Sequence, residues 1–499
     1  MIGGNLDMMH ANGWHEAELR LAMPPTIDSI IPAFENAGQS QVFRFFEGLE
    51  KEQKDNILQQ AAQIDLKEVQ HLVDTLVHGQ GHHGVDLSDL EPAPYISLPS
   101  KGGDAEDWET AFKEGEAALE AGRVATFTVA GGQGTRLGYD GPKGTFPVTP
   151  VRKATLFQVF AEKILAARRR YNAPIPWFIM TSTINHEATV RFFEEHAYFG
   201  MEEDSVSFFR QGLMPAVDYE GKIILDGKDS IAMTPDGHGG SLRALVRSGA
   251  TEKMAKMGID TISYFQVDNP LVACIDPAFI GFHLRGKSEM SSKMLQKAYP
   301  KEKLGHFCNQ RGKQVVIEYS DMPDELCEQR DADGELSYRA GSIAVHILSR
   351  EFVERMGGAE AGETTLPFHR ADKKIQVVDD EGNTSKPDAP NGVKFEMFVF
   401  DAIPFAQGPV VIESLRETGF SPVKNAEGVD SAQSCRDDQL RLFASWLKAA
   451  GVEIDLDADG IPQIVFEVSP HFADNERDFV AKWNALETKP EITDGLVIE

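Results

Sequence analysis

From residue 123 onward the chain alternates short runs of β-branched and aromatic residues with amphipathic helical stretches, and this alternation constrains the fold more than any other feature. "RVATFTVA", "PWFIMT", "VSFFRQ" and "DTISYFQVD" are separated by stretches of helical period such as "TLFQVFAEKILAARRR" and "SLRALVRSGATEKMAKMG". The pattern predicts an α/β fold: a Rossmann-like, mostly parallel mixed sheet with helices on both faces and ligands beyond the carboxyl ends of its strands.

The flanks read differently. Residues 40–78 suit short helices, with Val42, Phe45, Phe46 and Leu49 on one face and Val69, Leu72, Val73 and Leu76 on another after the N-cap Asp65. The Gly-, His- and Pro-rich "HGQGHHGVDLSDLEPAP" marks a connector. His78, His82 and His83 within it lack the carboxylate or cysteine spacing of a metal site and read as a solvated loop. "WETAFKEGEAALEAG" suits a helix stopped by Gly122, and beyond residue 400 "GPVVIESL", a helix around "SCRDDQLRLFASWLKAAG" and the strand "PQIVFEV" suggest a small α/β unit. The expected organisation is an N-terminal helical region (1–100), a central catalytic domain (101–400) and a small C-terminal α/β domain (401–499).

Charge excludes whole classes of partner. With 78 acidic against 49 basic residues the net charge is −29, the wrong sign for an extended nucleic-acid surface. A small anion stays admissible, because like charges beyond about 8 Å are largely screened at physiological salt. The cysteines Cys274, Cys308, Cys327 and Cys435 are scattered without a C-x-x-C pair, which favours buried thiols and a cytoplasmic protein. No basic, apolar leader opens the sequence and no apolar stretch approaches the roughly 20 residues of a membrane span, so neither secretion nor membrane insertion is expected.

The chemistry concentrates in "VAGGQGTRLGYDGPKGTF", Val129–Phe146, where six glycines surround Arg136 and Lys143 directly after an apolar strand. Bare backbone N–H groups in such a turn cradle a phosphate chain, and the two cations suit a polyphosphate. The loop is not a P-loop, since Pro142 and Gly144 flank Lys143 where G-K-[ST] is required. Nor is it G-x-G-x-x-G, because Leu137 holds the last position.

"AGGQGTRLG...PKG" resembles the signature of the uridylyltransferases that make UDP-sugars, and most of all the eukaryotic-type UDP-N-acetylhexosamine pyrophosphorylases. The likeness continues in order through "FFRQGLMPA", "IAMTPDGHGG", "VDNPLV", "IEYSD", "AGSIA", "LPFHRADKKI", "PNGVKFEMFVFD" and "FSPVKNA". The resemblance implies a nucleotidyltransferase joining UTP to a sugar 1-phosphate, with UDP-sugar and pyrophosphate as products and Mg2+ as cofactor. It places the triphosphate on Ala130, Gly131, Gly132, Arg136 and Lys143. Gln211 matches the glutamine that reads uracil, and Gly237 a close backbone approach to the base. Asp268, at the end of "TISYFQVD", suits an N-cap by position alone, and the match to "VDN" points to the metal. Lys394 and Lys424 match lysines on the nucleotide phosphate and the sugar phosphate.

On the sugar side the resemblance implies Glu318 and Tyr319, matching an "EY" pair, and Gly341. His238 and Ser342 stand where the family usually carries asparagine, and "GHG" resembles UDP-glucose and broad-range UDP-sugar pyrophosphorylases. An N-acetylhexosamine 1-phosphate is the first expectation and a glucose or broad-range substrate the alternative. A dianionic phosphate monoester needs no general base at neutral pH, which agrees with the lack of a Ser/His/Asp or Cys/His arrangement. Catalysis would come from aligning two anions and neutralising charge with Mg2+, Arg136, Lys143 and Lys394. His369, Lys373 and Lys374 suit either a basic lining or a structural role. Two other classes remain: an ATP hydrolase, disfavoured by the broken P-loop pattern, and a non-catalytic UDP-sugar binder, which would not call for Asp268 and the lysines. None of these motifs bears on oligomeric state.

Overall fold

Val124–Val129 is buried at every position and forms a strand in the interior of a ten-stranded sheet. The computed structural model describes residues 27–79, 87–358 and 366–499. The strands of this sheet are β1 (Leu90–Pro92), β2 (Val124–Val129), β3 (Trp177–Thr181), β4 (Val206–Arg210), β5 (Thr261–Gln266), β6 (Met290–Gln296), β7 (Gly305–Gln310), β8 (Lys313–Ile317), β9 (Ala340–Ser349) and β10 (Val410–Glu413). Their order is β1-β7-β9-β5-β2-β3-β4, with β6 between β9 and β10, and β8 beside β7.

One half of the sheet is parallel: β2 pairs β3 and β5, and β3 pairs β4. These strands are linked through helices and read as continuous apolar runs, as a sheet covered on both faces requires. The other half is mostly antiparallel about β9, which pairs β5, β6 and β7. Arg311 and Gly312, both at positive φ, join β7 to β8 by the two-residue turn that suits a twisted hairpin. The α/β class expected from the sequence is present, with parallel pairing confined to the half that carries the glycine loop and to β6–β10.

The two faces are separately packed. Val124, Trp177, Ile179 and Phe265 face one apolar cluster with helices α1 (Ala105–Glu120), α2 (Leu156–Tyr171) and α3 (Pro277–Arg285). Ala125, Phe127, Phe178 and Tyr264 face the other, with the helix Gly240–Arg247. α1 starts at Asp104, whose side chain accepts from the N–H groups of Glu106 and Asp107, and it ends just before Gly122 at φ +68. α1 and α3 touch backbone to backbone: a Cβ on Gly115 would lie 1.8 Å from the Pro277 carbonyl oxygen, and one on Gly281 would lie 1.7 Å from that of Ala111.

A C-terminal cluster gathers Leu440, Phe443, Trp446, Phe479 and Trp483 from the helices Ala432–Ala449 and Glu476–Ala485. Of the strand expected over "PQIVFEV" only Glu467–Val468 forms, because its partner, Val497–Ile498, is just as short.

The chain divides into two units, and the division does not follow chain order. The first joins the described residues up to 79 with 214–234 and 370–394, and the second holds the ten-stranded sheet. Within the first unit, the buried Gln39 donates to the Gly221 carbonyl and accepts from the Ile223 N–H. Asp65 caps its helix as expected, accepting from Lys67 and Glu68. The Val42–Leu49 stretch forms two 3-10 turns with Val42 and Leu49 buried. His82 and His83 lie outside the described residues.

Candidate active site

The site is built at the carboxyl ends of β2 and β5. Past β2, the Ala130 N–H still bonds the Met180 carbonyl, so the chain leaves the sheet only at Gly131. The loop then closes on itself: the Lys143 N–H donates to the Gly132 carbonyl at 3.0 Å and the Gly134 N–H to the Gly141 carbonyl at 2.9 Å. Gly144 must be glycine, since a Cβ there would lie 2.1 Å from the Phe157 ring. That close packing against α2 fixes the direction in which Lys143 leaves the backbone.

A cavity of about 140 Å³ opens here, lined by Gly131, Gly132, Lys143, Gln211, His238 and Asp268 together with Val129, Gln266 and Val267. Six residues expected from the sequence thus meet around one space. Lys143 Nζ lies 4.0 Å from Asp268 Oδ2, and both side chains are mostly buried. Gln211 Nε2 donates to the Gly237 carbonyl at 2.9 Å and to Asp236 Oδ1 at 3.3 Å, which leaves Oε1 as its uncommitted atom. Oε1 stands 2.9 Å from where a Gly131 Cβ would be. Gly237, at φ +83, lies against Met397, whose carbonyl oxygen would be 2.3 Å from an added Cβ.

Two groups that the sequence reading passed over hold this arrangement. The buried Asn185 donates to the carbonyls of Ala130 and Gly132 and accepts from the Ser182 N–H, pinning the glycine loop from beneath. Asp236 is buried with Gly212 and Gly240 pressed against its carboxyl, and burial pushes its pKa up to about 7 against the hydrogen bond from Gln211. The signal for both was position, since each follows closely on the end of a strand.

His238 accepts from the Val399 N–H at Nδ1. Burial lowers its pKa to about 4, with His369 adding to the effect. The ring is therefore neutral, with its proton on Nε2. Phe398 stacks near both His238 and His369, at 5.4 and 4.6 Å between ring centres. Burial works to lower the His369 pKa, but the 2.7 Å contact with Asp401 and the charges of Asp401, Asp321 and Glu318 hold it above the ordinary value. Glu318 is raised by burial and by Asp321 and Asp401.

The remaining expected residues fall in three places. Gly341 and Ser342 lie on β9, where Ser342 pairs with Gly305, and Glu318 Oε1 is 3.7 Å from a Gly305 Cβ position; Tyr319 beside it is 44% exposed. Lys424 approaches from the C-terminal side, its neighbour Val423 donating to the Asp268 carbonyl at 2.7 Å. Ala130 is buried under the loop, and Arg136 is exposed on the 3-10 turn Thr135–Leu137, outside the cavity lining. Lys394, Lys373 and Lys374 belong to the first unit.

Among the described residues no group of three or more His, Cys, Asp or Glu gathers in a way that could hold a metal. Asp268 is the one carboxylate lining the cavity. This donor set fits Mg2+ in the mode where one or two carboxylates share the ion with substrate phosphates and water, and it does not fit a cage made by protein alone. Among the described residues no helix is long and apolar enough to cross a membrane.

Residues 81–440 match the family described as UTP--glucose-1-phosphate uridylyltransferase. The chain is 37% identical to the UDP-N-acetylhexosamine pyrophosphorylase-like protein 1 of Xenopus tropicalis, over 87% of this chain and 90% of that protein. It is 34% identical to UDP-N-acetylglucosamine diphosphorylase 2 of Arabidopsis thaliana, over 86% and 87% of the two chains. The crystal structure of the Trypanosoma brucei uridine diphosphate N-acetylglucosamine pyrophosphorylase shares the fold, with a TM-score of 0.80 at 24% identity over 96% of this chain and 99% of that one. The glycine loop, its lysine and the acid facing it thus stand in a chain that belongs to the UTP--glucose-1-phosphate uridylyltransferase family, among its UDP-N-acetylhexosamine pyrophosphorylase-like members.

Proposed function

We propose that the protein transfers a uridylyl group from UTP to the phosphate of an N-acetylhexosamine 1-phosphate, releasing pyrophosphate, and that it runs equally in reverse. Family membership supports the coarser statement, a nucleotidyltransferase that makes a UDP-sugar from UTP and a sugar 1-phosphate. The observation that carries the reading is the convergence of Gly131, Gly132, Lys143, Gln211 and Asp268 on one cavity.

Gln211, with its amide nitrogen already committed, turns Oε1 to the base. A carbonyl acceptor there pairs with the N3–H of uracil and meets a bare lone pair on cytosine. The loop amides and Lys143 hold the phosphate chain. Arg136 would add positive charge along it, and Lys424 would hold the sugar phosphate. Mg2+, held by Asp268 and the nucleotide, would supply charge neutralisation on the phosphates. No residue need act as a base, because the attacking phosphate is already dianionic. The protein's part is to bring two anions into line and offset their repulsion. Glu318, Tyr319, Gly341, Ser342 and His238 would face the sugar.

A glucose or broad-range substrate is the second reading, favoured by His238 at the cavity wall, where its Nε2–H is a donor. Four free, buried cysteines support a cytoplasmic setting. The test is to supply pyrophosphate, Mg2+ and a panel of UDP-sugars and to measure UTP formed. UTP from UDP-N-acetylhexosamines in preference to UDP-glucose is expected; the reverse preference selects the second reading, and no UTP from any of them rejects both.

A further inference from the structure

The second unit holds another, larger cavity, of about 770 Å³, on the sheet face covered by α1 and α2 and walled by the two C-terminal helices. Its volume lies in the range of small-molecule sites, and none of the site residues above lines it. Trp108, Phe112, Phe443 and Trp446 give it aromatic walls. Most of its charges are answered: Arg170 bonds Asp474 and Asp478, Lys293 pairs with Asp276, and Glu467 takes Arg152.

Two polar groups are not fully used. Lys163 Nζ donates to the carbonyls of Pro270 and Val272 at 2.6 and 2.8 Å, and its third N–H has no partner among the described residues. The Tyr171 hydroxyl is sealed off from this space, its oxygen buried beside the Arg170 guanidinium. Glu116 lines the same space near Tyr171 and has no hydrogen-bond or ion-pair partner among the described residues. Lys163 and Tyr171 are eight residues apart on α2, about 12 Å along its axis. A single carboxylate cannot meet both ends.

We infer that this cavity binds an elongated aromatic molecule with an anionic group at the Lys163 end and a cationic or hydrogen-bond-donating group at the Glu116 end. Occupancy reaches the cavity around Lys143 through the chain. Lys163 grips Pro270 and Val272, Leu271 lines the larger cavity, and the same short segment begins at Asp268, whose carbonyl takes the Val423 N–H. Asn269 ties it further, donating to Gly419 and accepting from Ser421. A ligand that completes the bonds of Lys163 stiffens the segment carrying Asp268. Neither step depends on the reaction proposed above.

The test uses the full chain and 4′-(aminomethyl)biphenyl-4-carboxylate, a rigid rod with one charge at each end, with biphenyl-4-carboxylate as a one-ended control. Calorimetry is expected to show binding of the two-ended probe. Glu116→Gln should weaken it about tenfold while leaving the control unchanged, since one charge-assisted hydrogen bond is at stake. Ala273→Trp, which fills the cavity from an exposed position in its wall, should abolish binding of both. Amide exchange at Leu271, Val272 and Val423 should slow on binding. No binding, or binding that survives Ala273→Trp, overturns the site; binding with unchanged exchange at those amides overturns the coupling to Asp268.

Discussion

Lys143 Nζ stands 4.0 Å from Asp268 Oδ2, and the two residues arrive there from the carboxyl ends of β2 and β5, neighbouring parallel strands in register from Val124 with Thr261 to Val129 with Gln266. The separation is too long for a direct hydrogen bond, so each charge keeps its own capacity. The cation can take a phosphate oxygen and the carboxylate can take a metal. Lys143 is brought to this point by the loop rather than the strand, its N–H closing on the Gly132 carbonyl at 3.0 Å.

Removal of the cation tests the first half of this division. Lys143→Ala should lower kcat by about 10²–10³-fold, the scale of losing one group that stabilises charge in the transition state. The thermal midpoint should hardly move, because the Lys143 N–H, and not its ammonium, closes the loop on Gly132. Steady-state kinetics beside a thermal melt would check both. Unchanged kcat would remove Lys143 from the phosphate site.

Asp268→Asn tests the other half. Loss of a residue that merely orients a metal ligand already costs about 10–100-fold in metal affinity, so loss of a ligand should shift the half-saturating Mg2+ concentration upward by at least about tenfold. The neighbouring Lys143 would then face no opposing charge, and the KM for free UTP should fall or stay level. A Mg2+ titration of the initial rate that superimposes on that of the parent protein would exclude Asp268 as a ligand.

How much of this was legible beforehand follows from where the information lies. The strands "VATFTV", "WFIMT" and "TISYFQ" are buried throughout, so their β-branched and aromatic content announces them locally. The glycine loop was legible because steric demands at Gly131 and Gly144 leave no room for a side chain. Asn185 and Asp236 were not, since a buried amide and a buried carboxyl have no compositional mark that separates them from surface polar residues. The make-up of the first unit was hidden for another reason. Gln39 meets Gly221 and Ile223 more than 180 positions away, and no local pattern encodes a contact of that range. Arg136, named by its motif, stands exposed on its turn outside the cavity lining.

Asp236 gives a pH dependence with a definite sign. Its carboxyl is raised from 3.8 to about 7, chiefly by burial, so the folded protein binds an extra proton between those values. Stability is therefore greatest below the unfolded pKa and falls as pH rises toward the folded one, by up to about 4 kcal/mol for three units at 1.36 kcal/mol each. Asp236→Asn keeps an acceptor for Gln211 and removes the titration. Denaturant melts of both proteins at pH 5 and pH 8 should show the parent losing stability over this interval and the variant losing much less. Parallel changes in the two would mean that Asp236 is ionised throughout.

His238 sets the last expectation, on which sugar the site accepts. Its Nδ1 is occupied by the Val399 N–H and its pKa is held near 4, so it is neutral across the working pH range and contributes a fixed Nε2–H donor with the bulk of a ring. Replacing the ring with a shorter amide makes room beside the sugar and offers both a donor and an acceptor. His238→Asn should raise the ratio of kcat/KM for UDP-N-acetylhexosamine over UDP-glucose in pyrophosphorolysis by about 10–100-fold, the range open to a change in one pocket contact. The variant should also lose about 1–3 kcal/mol of stability if the Val399 N–H is left unpaired, which a parallel melt would register. A fall in stability with the ratio unchanged would make His238 a support for the Val399 turn alone, whereas a moved ratio with stability intact would place its influence wholly on the sugar.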